Sequence, residues 1–344
     1  MADPMAKAVV GAMAVVLLAG CTSAGDTPTA APSTAHESTR ASGGAPQLGL
    51  ETFPVPDGAG PHDVAPAADG GVWFTAQHAG YLGHLAPDTG RVRQIPLGPG
   101  SAPHGVIVDR GGTPWVTDGG LNAIVRVDPT TFAVTRFPLP ANRPGANLNT
   151  ATFDKRGGLW FTGQAGVYGR LVPATGRLEV FDAPGGRGPY GITTTPTGDV
   201  YYASLAGSHI VRIDPTTGAP TVLQPPTRGQ GARRIWSDSL GRVWLTEWNA
   251  GQLGRYDPPT GEWKEWHLPG VHPQPYAVYV DGRDQVWLSD FGANALLRFD
   301  PATERFTTFA LPDGRADVRQ ILGRFGEVWG AASAQDRLVV IRQS

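Results

Sequence analysis

The chain has 344 residues, 40% of them hydrophobic and 17% charged, with a formal net charge of −2. That balance excludes a basic nucleic-acid surface, and its one cysteine excludes an intrachain disulfide. Its 47 Gly and 32 Pro point to an architecture with many tight turns.

Residues 1–21 read as an export signal. Lys7 precedes Ala8 to Gly20, a run of apolar or small residues too short to cross a bilayer as a helix. The run ends Leu18-Ala19-Gly20-Cys21, which resembles the lipobox of bacterial lipoproteins. That resemblance implies acylation of Cys21 and an extracytoplasmic protein held to the cell membrane by its lipid alone. Residues 22–47 are mostly Thr, Ser, Ala, Pro and Gly, bury too little to fold, and read as a disordered tether.

From residue 48 to 344 a single unit repeats. In the second repeat, Pro103 to Val108 is a strand, Asp109-Arg-Gly-Gly a turn, and Trp115 to Asp118 a second strand. Ile124-Val-Arg-Val-Asp-Pro, ending in a Pro turn, and Val134 to Pro140 supply two more. The aromatic opening the second strand recurs as Trp73, Trp115, Trp160, Tyr201, Trp244, Trp287 and Trp329, at spacings of 42, 45, 41, 43, 43 and 42 residues. Four strands at this period are the mark of a propeller blade. The expected fold is all-β, a seven-bladed β-propeller with four antiparallel strands per blade. The last repeat supplies three strands. Leu50 to Pro56 resembles the fourth strands elsewhere, as in Thr135-Arg-Phe-Pro-Leu-Pro140, and is expected to close the ring.

The inner strand of each blade lines the central channel, so its opening residue is a candidate for function. Counting 11 residues back from the marker gives His62, His104, Asn149, Tyr190, Arg233 and Tyr276, with Arg319 in a turn one residue shorter. The second-strand ends are Ala76, Asp118, Gly163, Ser204, Glu247, Asp290 and Ala332. Both sets are expected on one face, where Tyr190, Arg233, Glu247, Trp248, Tyr276, Asp290 and Arg319 would bind a ligand. His62 and His104 come from adjacent blades and follow a Pro; an imidazole there could act as a general base. The markers themselves are expected to pack between blades. The expected partner is a small molecule or peptide at the channel mouth, with no nucleic acid, and the chain is expected to be a monomer.

The runs Pro-His-Gly-Val-Ile, Trp-Phe-Thr and Trp244-Leu-Thr-Glu-Trp-Asn-Ala-Gly-Gln-Leu-Gly-Arg255 resemble the streptogramin B lyase (virginiamycin B lyase) family. The resemblance implies opening of a cyclic depsipeptide ester by Mg²⁺-assisted elimination, a contribution to antibiotic resistance. It implies His104 as the base and His62 as the group that orients substrate or assists the leaving group. Ala102 and Gly119 stand where the family carries Glu, which leaves Asp118 as the nearest carboxylate for the metal. A second expectation is a non-catalytic propeller binding a cell-wall sugar, peptide or protein on the same face.

Overall fold

A computed structural model describes residues 49–312 and 314–343. The expected export signal, Cys21 and the expected tether lie outside the described residues. The chain forms seven four-stranded antiparallel sheets. Their inner strands are Pro61–Pro66, Pro103–Val108, Leu148–Phe153, Pro189–Thr194, Ala232–Ser237, Pro275–Val280 and Val318–Arg324. Each packs against the next, and the seventh packs against the first, so the ring closes. The seventh sheet takes its outer strand from Gly49–Pro54, paired antiparallel to Arg337–Arg342. The expected closure is present. The strand ends at Pro54, and Val55 leaves it by donating from its amide to the Asp336 carbonyl.

The marker aromatics are all at most 2% exposed and lie in the layers between sheets. The turn before them explains their recurrence. Asp109 accepts from the amides of Gly111 and Thr113 through Oδ1, and from Trp115 Nε1 through Oδ2. Asp154, Asp238 and Asp281 do the same for Trp160, Trp244 and Trp287. One carboxylate thus closes the turn and satisfies the buried indole donor. Blade one has Ala67 at this place, and Trp73 Nε1 is buried without a partner.

Two residues past the marker, a hydroxyl ties each of several blades to the next. Thr75 donates to the His104 carbonyl at 2.8 Å, Thr117 to the Asn149 carbonyl at 2.5 Å, and Thr246 to the Tyr276 carbonyl at 2.9 Å. Each acceptor is the second residue of the next inner strand. The repeat framework therefore holds the backbone of the channel ring in place.

Candidate functional site

His62, His104, Asn149, Tyr190, Arg233, Tyr276 and Arg319 each occupy the second position of their inner strand. Every inner strand carries a register shift there, as between Pro103 and Gly105 in blade two. Such a bulge frees one residue from the ladder and re-aims its side chain. The seven re-aimed positions form the ring.

The second-strand ends do not join it. Asp118 pairs with Pro103, Glu247 with Ala232 and Asp290 with Pro275, each one residue before the ring position. Among the described residues, none of the three carboxylates hydrogen-bonds to a ring side chain. Asp118 is fully buried and clamps its own loop: Oδ1 accepts from the amides of Ala102 and Leu121, and Oδ2 from Ser101 Oγ. Asp290 accepts from the amides of Gln274 and Gly292. The Glu247 carboxyl lies over Gly254, where an added Cβ would meet its Oε1 at 2.7 Å. Burial, reinforced by nearby Glu265, pushes it up to about 8. The expected grouping of Asp118, Glu247 and Asp290 with the ring residues is corrected to this extent: Asp118 and Asp290 brace their own loops, and Glu247 lies by Gly254 and Glu265.

The ring residues converge. The His62 and His104 rings are 3.7 Å apart between centroids, closer than blade spacing alone suggests. His62 Nδ1 is 2.8 Å from Asp63 Oδ1. Asp63 takes both nitrogens of the Arg234 fork, at 2.8 and 3.3 Å, in a buried pair from blades one and five. Arg234 also donates to Thr150 Oγ1 at 2.7 Å; Thr150 donates to Asn149 Oδ1 at 2.7 Å; and Asn149 Nδ2 lies 3.1 Å from His104 Nε2.

This chain of bonds assigns the tautomers. An ionised Asp63 accepts a proton from His62 Nδ1, so the His62 lone pair is at Nε2. The amide nitrogen of Asn149 only donates, so His104 Nε2 accepts and its proton sits on Nδ1. His104 Nδ1 is buried without a partner. Burial holds both imidazoles well below their usual pKa; the Arg234 charge adds to this for His62, and contact with His62 adds to it for His104. Both are neutral at pH 7. Burial pushes the Asp63 carboxyl up, against the pull of Arg234.

Beside the pair, the Tyr190 and Tyr276 hydroxyls meet at 2.5 Å across the ring, and Arg233 donates to Tyr190 Oη at 3.1 Å. The Arg233 guanidinium lies 3.7 Å from the Tyr276 ring centroid, 4.5 Å from that of Trp248 and 4.7 Å from that of Tyr190. Against burial, which raises it, Arg233 and Arg234 pull the Tyr276 phenol below its ordinary range. Tyr190, Arg233, Trp248 and Tyr276 are thus brought together as the sequence suggested. Trp263 and Trp266 lie on an outer strand, half-buried.

Asp63 and Arg234 escaped the sequence reading, although they organise the site. Both sit one residue past the ring position, where the other blades carry Gly105, Thr150, Gly191, Ala277 and Gln320. Charged residues in a column of uncharged ones were the available signal.

The ligand atoms of His62, Asp63 and His104 lie within 4.8 Å of one another. The Mg²⁺ that the family resemblance implies does not fit them. Mg²⁺ takes oxygen ligands in near-octahedral geometry. The one carboxylate of the group is engaged by Arg234 and His62, and the oxygens of Asp118 are engaged by their own loop.

Fold and ring together define a seven-bladed propeller with a paired-histidine centre at its axis. A match to the virginiamycin B lyase family spans residues 50–341, and the chain belongs to that family. Among solved structures it is similar to selenomethionine-substituted virginiamycin B lyase from Staphylococcus aureus, with a TM-score of 0.80 and 21% identity over 87% of this chain and 100% of that one. A streptogramin B lyase structure gives 0.79 and 25% over 86% and 98%. A catalytically inactive histidine-to-alanine virginiamycin B lyase from S. aureus with quinupristin gives 0.80 and 20% over 87% and 100%. No curated protein matches the chain.

Proposed function

We propose that this protein is a lyase that opens an ester in a cyclic depsipeptide or related substrate by elimination, with His62 as the base. The observation that carries this is the Asp63–His62 dyad, which leaves Nε2 as the basic nitrogen directly beside the His104 ring. His62 Nε2 removes the proton on the carbon alpha to a carbonyl. The C–H electrons form the Cα=Cβ double bond, the Cβ–O bond breaks, and the carboxylate leaves with that pair. His104 Nδ1–H donates a hydrogen bond to the oxygen on which charge develops. The roles of the two histidines are thus exchanged relative to the family assignment, and no step runs through a metal.

The test is incubation of the purified protein with quinupristin, with and without EDTA, followed by chromatography and mass spectrometry. Elimination yields a product of unchanged mass and altered elution, and chelation leaves the rate unchanged. Addition of one water mass would overturn elimination in favour of hydrolysis. No product favours the second reading, a non-catalytic binding propeller. That reading draws support from the Arg234–Asp63 and Tyr190–Tyr276 contacts, which bridge the ring.

We also propose that the propeller works outside the cytoplasm, anchored through acylated Cys21. Cys21→Ser should leave the protein unprocessed or released; a variant of mature size in the membrane fraction would contradict the anchor.

A further inference from the structure

The centre of the ring carries more positive charge than its own residues neutralise. Arg233, Arg234 and Arg319 all act on His62, whereas among the described residues Asp63 is the only carboxylate bonded within the cluster. Arg234 pairs with Asp63. Arg233 and Arg319 form no ion pair among the described residues. The Nε atoms of both are buried without a hydrogen-bond partner, as is His104 Nδ1. Arg233 is held by three aromatic faces, but ring faces offer its N–H edge no acceptor beyond Tyr190 Oη. Partly buried cations with orphaned donors are unfavourable unless an anion completes them.

We infer that the ring binds a single oxyanion, a carboxylate or phosphate group of a small ligand, between Arg233 and Arg319, with the His104 Nδ1–H as a further donor. A planar guanidinium fork matches either group, and charge-assisted bonds of this kind are the strong ones. A polyanion is not indicated, since the chain as a whole has a net charge of −2. Trp248, stacked on Arg233, supplies an apolar wall for the rest of the ligand. The site holds whether or not the protein turns over an ester; if it does, the same guanidiniums receive the leaving carboxylate.

The test titrates the purified protein by calorimetry with N-acetylalanine, inorganic phosphate and the uncharged N-acetylalanine amide, at constant ionic strength in chloride. Saturable binding of at least one anion is expected, with none of the amide; the tighter anion identifies the group. Arg233→Gln and Arg319→Gln should each weaken it by roughly tenfold or more. Arg212→Gln, which removes an outer-face ion pair with Asp199, should not. Cooperative melting of each variant confirms its fold, and if one fails, the other and the wild-type titration decide. Absence of saturable binding for both anions, equal binding of the amide, or undiminished binding by folded ring variants would overturn the inference. So would Mg²⁺ binding that Asp63→Asn abolishes. No ester is present, so turnover without anion binding would sink this inference alone, and anion binding without turnover would sink only the enzymatic reading.

Discussion

The Asp–Trp turns and the channel ring are both seven-fold positions, yet they behave oppositely. At the turns, four blades use the same residues for the same three hydrogen bonds. At the ring, geometrically equivalent positions carry two His, one Asn, two Tyr and two Arg. Where the repeat keeps its residue, the residue serves the blade. Where the repeat keeps the geometry and varies the residue, the side chains serve one another across the axis.

The sharpest way to break the ring is to unpair Arg234. Asp63→Asn leaves a buried guanidinium without its counter-charge, for which the expected loss is about 3–5 kcal/mol in urea unfolding. Arg234→Met with Asp63→Leu should recover much of that stability, because a buried pair is often replaceable by apolar residues. A double variant as unstable as Asp63→Asn would show that the polar pair itself holds the fold.

Breaking the framework should have a smaller and more local effect. Asp238→Ala strands the Trp244 indole and the turn amides of Leu240 and Arg242. The expected loss is about 1–3 kcal/mol, with ligand binding intact. Blade one is a natural control, since Ala67 leaves Trp73 in that condition already. Loss of ligand binding in Asp238→Ala would erase the distinction between the two regions.

The fold was legible because the markers and turns recur at nearly constant spacing. The closing strand was legible for the same reason, since Leu50 to Pro56 repeats a fourth-strand pattern. The ring residues could also be counted off. Their partners could not: the bulge at each ring position shifts the register by one residue, and counting alone grouped Asp118, Glu247 and Asp290 with ring side chains to which they make no hydrogen bond among the described residues. Asp63 and Arg234 are 171 residues apart and meet only because the ring closes. No local pattern announces such a pair.

Glu247 gives the smallest but cleanest sharpening. Its carboxyl is raised from an ordinary 4.5 to about 8 by burial and by Glu265. The folded state therefore binds more protons than the unfolded one between those values. The favourable contribution is full below about pH 4.5 and is lost as pH rises through about 8. Glu247→Gln, neutral at every pH, should raise the melting temperature at pH 8.5 and leave it nearly unchanged at pH 4.5. A gain of equal size at both would remove ionisation as the cause. The ring histidines shift in the opposite sense. Their lowered pKa means that stability should fall as pH drops below about 6.5, where the unfolded chain takes up protons first.

If the Asp63-backed His62 takes the proton and no metal takes part, the two histidines should separate kinetically. The most direct measurement compares quinupristin turnover by folded His62→Asn and His104→Asn variants in the presence of EDTA. The expected result is a loss of about 10²–10⁴-fold for His62→Asn, a smaller loss for His104→Asn, and a wild-type rate indifferent to the chelator. A His62→Asn variant that keeps its rate while His104→Asn is inactive, or a wild-type protein silenced by EDTA, would contradict it.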